Sequence, residues 1–93
     1  MDHEKFKERN IALRAFVMIQ KQRCAPLREL WKIKGFEYSA ETYMKRLVQR
    51  GIFQGGGCDS GTCWRLSNEC KHISTMAEFQ NELKEKGLSL YEQ

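Results

Sequence analysis

The sequence has a single proline, no low-complexity tract and no internal repeat, and its 41% hydrophobic and 30% charged residues exclude a disordered composition. No apolar run approaches the roughly 20 residues needed to cross a bilayer. The longest, 11–19, is interrupted by Arg14 and lacks a small-residue cleavage site, so it predicts a buried helix. We therefore expect one cytoplasmic domain whose four cysteines are reduced thiols or metal ligands.

Catalytic groups are also scarce. The only two histidines, His3 and His72, are flanked by polar residues, and His3 lies near the start of the chain. No Ser/His/Asp set or paired-carboxylate arrangement stands out in the sequence. We therefore do not expect an enzyme.

Positive charge is concentrated in one central segment. The formal net charge is +4, but 21–50 holds eight basic and three acidic residues, a surplus of five positive charges. The chain after Gly51 holds four basic and six acidic residues. This distribution suits a polyanionic partner, although a basic, solvated helical surface would give the same pattern.

Hydrophobic spacing and capping residues divide the chain into helices and a hairpin. The segment 1–9 is predicted to be either a helical extension or a loose tail. Four helices are predicted, from Asn10 to Gln22, from Pro26 to Gly35, from Ser39 to Arg50 and from Thr75 to Gly87. Between the third and the last, strands that begin at Ile52 and Thr62 flank a glycine-rich tip, 54–61. In the second helix, Leu27, Leu30 and Trp31 are predicted to form a buried stripe.

The last helix has its own signals. Thr75 followed by Glu78 is a capping-box signature. Met76, Phe79 and Leu83 form an apolar stripe, which leads toward Leu88, Leu90 and Tyr91. The stripe either closes the core against the first helix or forms a homodimer interface, and the sequence leaves both possibilities open.

Three helices followed by a two-stranded hairpin resemble the short winged-helix regulators of bacteria and their phages. The resemblance depends on 27–31, the turn through Gly35, the third helix, 51–53 and 62–66. It implies an α+β, mostly α, winged helix-turn-helix domain at 10–68, with an extension at 1–9 and a C-terminal helix and tail at 69–93. The implied function is sequence-specific binding of double-stranded DNA in transcription regulation.

The same resemblance implies a set of DNA-binding side chains, with the third helix in the major groove and the hairpin on the backbone. The set is Ser39, Glu41, Thr42, Lys45, Arg46, Gln49 and Arg65. Glu41 would repel phosphate unless it accepts from a cytosine amino group or pairs with Lys45. The alternative function is that of a protein-interaction module, such as an antagonist of a partner regulator, or of a metal sensor.

The cysteines leave a further choice. Cys58, Cys63 and Cys70, with His72, are close in sequence and are ligand types that zinc accepts, but no C-x-x-C pair is present. The run 57–63 also resembles the wing of the winged-helix proteins associated with bacterial ferrous-iron transport, where cysteines are implicated in binding an iron–sulfur cluster; Leu66 replaces the third cysteine of that pattern. Free thiols with no cofactor are the leading prediction, ahead of zinc and of a disulfide between Cys58 and Cys63.

Overall fold

The computed structural model describes residues 3–88 and has an α+β fold, as predicted, with helices packed against a three-stranded antiparallel sheet of strand order β1-β3-β2. The elements in chain order are α1 (His3–Gln22), β1 (Ala25–Pro26), α2 (Leu27–Leu30), α3 (Ala40–Gln49), β2 (Phe53–Cys58), β3 (Gly61–Leu66), a 3-10 turn (Asn68–Cys70) and α4 (Met76–Glu85). Within 3–88, none of the helices combines the length and apolar character that crossing a membrane would require.

Helix α1 begins at His3 rather than at Asn10, so the N-terminal segment is a helical extension and not a loose tail. The additional turns are held by contacts with α3. Glu8 is buried at 2% exposure, and Glu4 accepts a hydrogen bond from the Tyr43 hydroxyl. The structure thus selects the first of the two alternatives, which the sequence left open because the partners of these polar residues lie 39 and 42 positions away.

The predicted second helix is shorter than expected. Ala25 and Pro26 form an edge strand that pairs with Trp64 and Cys63, and α2 then covers only Leu27–Leu30. The missing N–H of proline is tolerated in such an edge position. The chain continues from α2 toward Gly35 as a series of tight turns rather than as a helix.

Trp31 was expected in the buried stripe of this helix, and that prediction is wrong: 46% of the residue is exposed. Hydrogen bonds of the i→i+3 type follow α2, such as that from the Ile33 amide to the Leu30 carbonyl at 3.1 Å. This tighter winding changes which side chains face inward. Ile33 and Phe36 are buried instead.

The hairpin is longer than the sequence indicates. Strand β2 continues through Gly55, Gly56 and Gly57 to Cys58, and only two residues, 59–60, form the turn before β3. Gly55 lies opposite Trp64, and a Cβ at Gly55 would be 3.4 Å from the indole Nε1. These glycines therefore belong to a strand and not to a loop. At Gly55, a larger side chain would crowd the indole of Trp64.

Helix α4 folds back on α1. The rings of Phe16 and Phe79 stack with centroids 4.3 Å apart, and Leu83 and Leu88 are fully buried. The capping box of Thr75 and Glu78 is present, with the Glu78 amide donating to Thr75 Oγ1 at 3.1 Å. In the single chain, the apolar stripe of α4 closes the core against α1, which is one of the two predicted alternatives. A homodimer through α4 would have to use other surface, and Leu90 and Tyr91 lie outside the described residues.

Candidate functional site

Helix α3 is amphipathic, and its core side fixes the orientation of its polar residues. Ala40, Tyr43, Met44 and Leu47 are buried at helical spacing. The remaining positions divide into a side that contacts α1 and a side that faces the β2–β3 hairpin. These two sides have different electrostatic surroundings.

On the α1 side, Arg46 is held by the N-terminal turns of α1. Its Nη1 lies 3.0 Å from Glu4 Oε1, and its guanidinium lies 5.1 Å from the centre of the Tyr43 ring. The Tyr43 hydroxyl donates to the other oxygen of Glu4 at 2.7 Å. Arg46 therefore has two partners within the chain, although its side chain remains 43% exposed.

Arg50 occupies the next turn on the same side and is held more firmly. Its Nε donates to the buried carboxylate of Glu8, and its Nη1 donates to the Lys86 carbonyl at 2.6 Å. One guanidinium thus joins α3, α1 and the end of α4. Two of the basic residues of the central segment are therefore neutralised by carboxylates of α1.

These contacts shift the proton affinities of the groups involved. The hydrogen bond from Tyr43, followed by that from Arg46, lowers the pKa of Glu4 below its ordinary value. Burial, followed by the hydrogen bond to Glu4, raises the pKa of Tyr43 to about 12. The carboxylate of Glu4 raises the pKa of Arg46. These shifts favour the carboxylate form of Glu4, the cationic form of Arg46 and the protonated phenol of Tyr43.

The other side of α3 is open. Thr42, Lys45 and Gln49 are exposed, and the Lys45 side chain retains 70% of its accessible surface. Its ion pair with Glu41, 3.5 Å from Nζ to Oε2, lies at the surface, where such pairs are weak. This is one of the two arrangements expected for Glu41, and it leaves Lys45 available to a stronger partner.

An open groove of about 400 Å³ separates this side of α3 from the hairpin, and we refer to it as the α3–hairpin groove. It is lined by Glu41, Lys45, Val48 and Gln49 of α3, Gly55 of β2, and Thr62 and Trp64 of β3. The groove combines an apolar part, from Val48 and Trp64, with polar groups at its rim. Because glycine supplies much of the exposed part of β2, backbone groups are accessible along this wall.

Two further residues of the predicted set do not line the groove. Ser39 precedes α3 and is half-buried, but its side chain makes no capping hydrogen bond. Arg65 is exposed on β3 beside the glycines of β2, with Nη1 3.5 Å from the position of a Cβ on Gly56. The structure therefore places Glu41, Lys45 and Gln49 on the groove. Arg65 projects from the face of the hairpin opposite to Trp64, and Arg46 is turned toward Glu4.

Two aromatic residues near α3 were not predicted as site residues. Tyr38, in the turn before α3, is 99% exposed, and Trp31 is 46% exposed. The available signal was the position of Tyr38 in a polar turn with no apolar neighbour at helical spacing. Large side chains at such exposure are candidates for contact with another molecule.

The suggested metal ligands are not brought together. Cys70 lies in the core beside the Gly51 carbonyl, which its sulfur approaches to 3.7 Å, at the base of the hairpin. Cys58 lies at the opposite end of β2, roughly 15 Å away along a strand of this length. Across 3–88, no three histidine, cysteine, aspartate or glutamate residues are placed to hold a metal ion.

A comparison of the chain with models of protein families, with curated proteins and with solved structures finds no match.

Proposed function

We propose that the chain is a winged helix-turn-helix protein that binds double-stranded DNA as a small transcriptional regulator. Helix α3 would enter the major groove, and the β2–β3 hairpin would act as the wing on the adjacent backbone. The observation that carries the proposal is the α3–hairpin groove, where the exposed polar side of α3 and the hairpin border one opening. The major groove of B-DNA, about 12 Å wide, admits a helix presented in this way.

The order of the elements supports the winged-helix assignment. Strand β1 lies between α1 and α2 and pairs with β3, which in turn pairs with β2. Helices α2 and α3 are joined by a turn through Gly35, whose φ of +94° is a conformation that glycine adopts without strain. A helix pair of this kind followed by a hairpin is the arrangement that the resemblance implies.

The exposed side chains of α3 have the chemistry that base and phosphate recognition requires. Thr42 and Gln49 can donate to or accept from base edges, and Lys45 can bind phosphate or guanine. A phosphate would compete successfully with Glu41 for Lys45, because the existing pair is exposed. Arg65 extends the cationic surface onto the hairpin.

The distribution of exposed positive charge also supports a polyanionic partner. Although Arg46 and Arg50 are neutralised by α1, the basic residues that precede α3 in the central segment lie at the surface. They are Lys21, Arg23, Arg28, Lys32 and Lys34. These side chains would provide the sequence-independent, salt-sensitive part of DNA affinity.

A second candidate function, binding of a partner protein, is favoured by Trp31 and Tyr38. Their exposure leaves aromatic surface on the segment that joins α2 to α3, and aromatic side chains are enriched in protein interfaces. The exposed residues of α3 itself, however, are polar rather than apolar. An interface of this second kind would be centred on the turn between α2 and α3.

The test is a fluorescence-anisotropy titration of labelled duplex DNA fragments at several salt concentrations. If four to six phosphates are neutralised, the plot of log affinity against log salt should have a slope of about −4 to −5. The same fragments as single strands are the control, and we expect weaker binding to them. Affinity that does not change with salt, or no binding to duplex DNA, would contradict the proposal and favour a protein partner.

A further inference from the structure

Three of the four cysteines are near one another at the hairpin. Cys24 directly precedes β1, which pairs with the Cys63 region of β3. Cys58 ends β2 opposite Gly61, and Cys63 lies two residues beyond Gly61, so both side chains project from the same face of the hairpin. This register makes Cys58 and Cys63 diagonal neighbours on paired strands.

The two thiols of this pair have opposite environments. Cys58 is half-buried, and its sulfur lies 3.3 Å from the Ser60 hydroxyl. That contact, followed by the interaction with the neighbouring Cys63 thiol, lowers the pKa of Cys58. Cys63 is fully buried, and burial raises its pKa to about 11. A thiolate therefore forms more readily on the accessible sulfur, while its neighbour keeps its proton and is shielded from solvent.

We propose that Cys58 is a site of oxidation by hydroperoxides and that Cys63 is its resolving thiol, so that oxidation leaves a disulfide within the hairpin. In the first step, the Cys58 sulfur attacks one oxygen of hydrogen peroxide. The S–O bond forms as the O–O bond breaks, and the departing hydroxide takes up a proton to become water. Cys58 is then a sulfenic acid.

In the second step, the Cys63 sulfur attacks the Cys58 sulfur. The S–S bond forms, the S–O bond breaks, and the departing hydroxide takes the Cys63 proton as the second water. Two thiols are oxidised while one peroxide is reduced to two waters. Conversion of Cys58 to the sulfenic acid also removes the negative charge that helps to hold the proton on Cys63.

A disulfide between Cys58 and Cys63 requires a small movement of the hairpin tip. Diagonal neighbours on paired strands have Cα atoms about 7–8 Å apart, whereas disulfides span about 4.4–6.8 Å. The backbone must therefore move by roughly 1 Å. Gly57 and Gly61 have open space where a Cβ would be, so the residues that adjoin Cys58 and the turn offer little steric resistance.

The sequence allows a direct test on the full chain. Trypsin cleaves after Arg50 and Arg65, and the resulting peptide 51–65 contains Cys58 and Cys63 but no other cysteine. The reduced protein is treated with a small excess of hydrogen peroxide, the remaining thiols are alkylated, and the peptides are analysed by mass spectrometry. We expect peptide 51–65 to be two hydrogens lighter and unalkylated, while Cys24 and Cys70 remain alkylated.

Two variants separate the proposed pair from its neighbour. In Cys63→Ala, Cys58 should accumulate as a sulfenic acid that dimedone traps, because its resolving thiol is absent. Cys24→Ser is the matched control and should form the hairpin disulfide as the wild type does. A bridge to Cys24, a dimer linked through Cys58, or wild-type peptide 51–65 that keeps both thiols under peroxide would each overturn the proposal. The wild-type measurement decides the matter even where a variant does not fold, and none of these readouts depends on DNA binding.

Discussion

Lys45 and Arg46 are neighbours on α3, but they have opposite surroundings. Arg46 is held by Glu4 and stacks over Tyr43, whereas Lys45 borders the α3–hairpin groove with only a surface ion pair. Arg50, one turn beyond Arg46, is bound to a buried carboxylate. The comparison shows that formal charge in a sequence is a poor guide to available charge. On the α1 side of α3 the cations are paired with carboxylates of α1, whereas on the groove side Lys45 has only an exposed ion pair.

The largest expected effect concerns α4, which packs against α1 and whose C-terminal end binds Arg50 on the α1 side of α3. Phe79→Ala removes the ring that stacks on Phe16 and leaves a cavity in the core. We expect the free energy of unfolding to fall by about 4 kcal/mol, measured by urea denaturation with circular dichroism. Met76→Ala, at a half-buried position of the same helix, is the control and should cost much less. Equal losses would mean that α4 does not close the core.

The next effect separates a buried contact from an exposed one on the α1 side. Glu8→Gln leaves the guanidinium of Arg50 without its charged partner and should lower the free energy of unfolding by about 3 kcal/mol. Glu4→Gln alters the exposed pair with Arg46 and should move the urea midpoint only slightly. Equal changes in the free energy of unfolding would contradict the distinction between the buried Glu8–Arg50 contact and the exposed Glu4–Arg46 contact.

Alkaline pH tests the network around Tyr43. The unfolded phenol ionises near pH 10.0, whereas burial raises the pKa of the folded group to about 12. The stability that this group contributes is therefore complete below pH 10.0 and is lost as the pH rises toward 12. We expect the difference in urea midpoint between the wild type and Tyr43→Phe to shrink over this interval. A difference that is constant with pH would place the Tyr43 hydroxyl in contact with solvent.

The smallest effect links the two sides of α3. Glu4→Gln removes a negative charge beside α3 and frees Arg46 from its ion pair. If DNA binds at the α3–hairpin groove, its affinity should rise by about twofold at low salt and approach the wild-type value at high salt. Anisotropy titrations at two salt concentrations would measure this. A decrease in affinity would indicate that the α1 extension itself contacts DNA.

The sequence predicted the fold class, the position of α3, the capping box of α4 and the presence of the hairpin. These features depend on local signals: hydrophobic spacing, N-cap residues and the glycines that end helices. Gly51 and Gly87 both adopt positive φ next to the ends of helices, as their sequence context indicated. Local patterns of this kind are encoded within a few residues and can be identified without tertiary information.

The failures involve contacts between distant segments. The role of Glu4 and Glu8 could not be predicted, because their partners lie 42 residues away, within α3 and directly after it. Strand β1 is two residues long and exists only through its pairing with β3. The glycines of β2 were interpreted as a loop, since the opposing Trp64 that explains Gly55 cannot be identified from local composition. For the candidate site, the sequence could not show that Arg46 and Arg50 are paired with carboxylates of α1.

The most direct test of the account compares Lys45→Gln with Arg46→Gln in DNA binding, with Arg14→Gln on the exposed surface of α1 as the control. Each variant removes one positive charge, so differences report position rather than net charge. We expect Lys45→Gln to weaken binding by about tenfold and to reduce the magnitude of the salt slope by about one, with smaller losses for Arg46→Gln and Arg14→Gln. A loss for Arg46→Gln that equals or exceeds the loss for Lys45→Gln would contradict the assignment of the groove side of α3 as the binding surface.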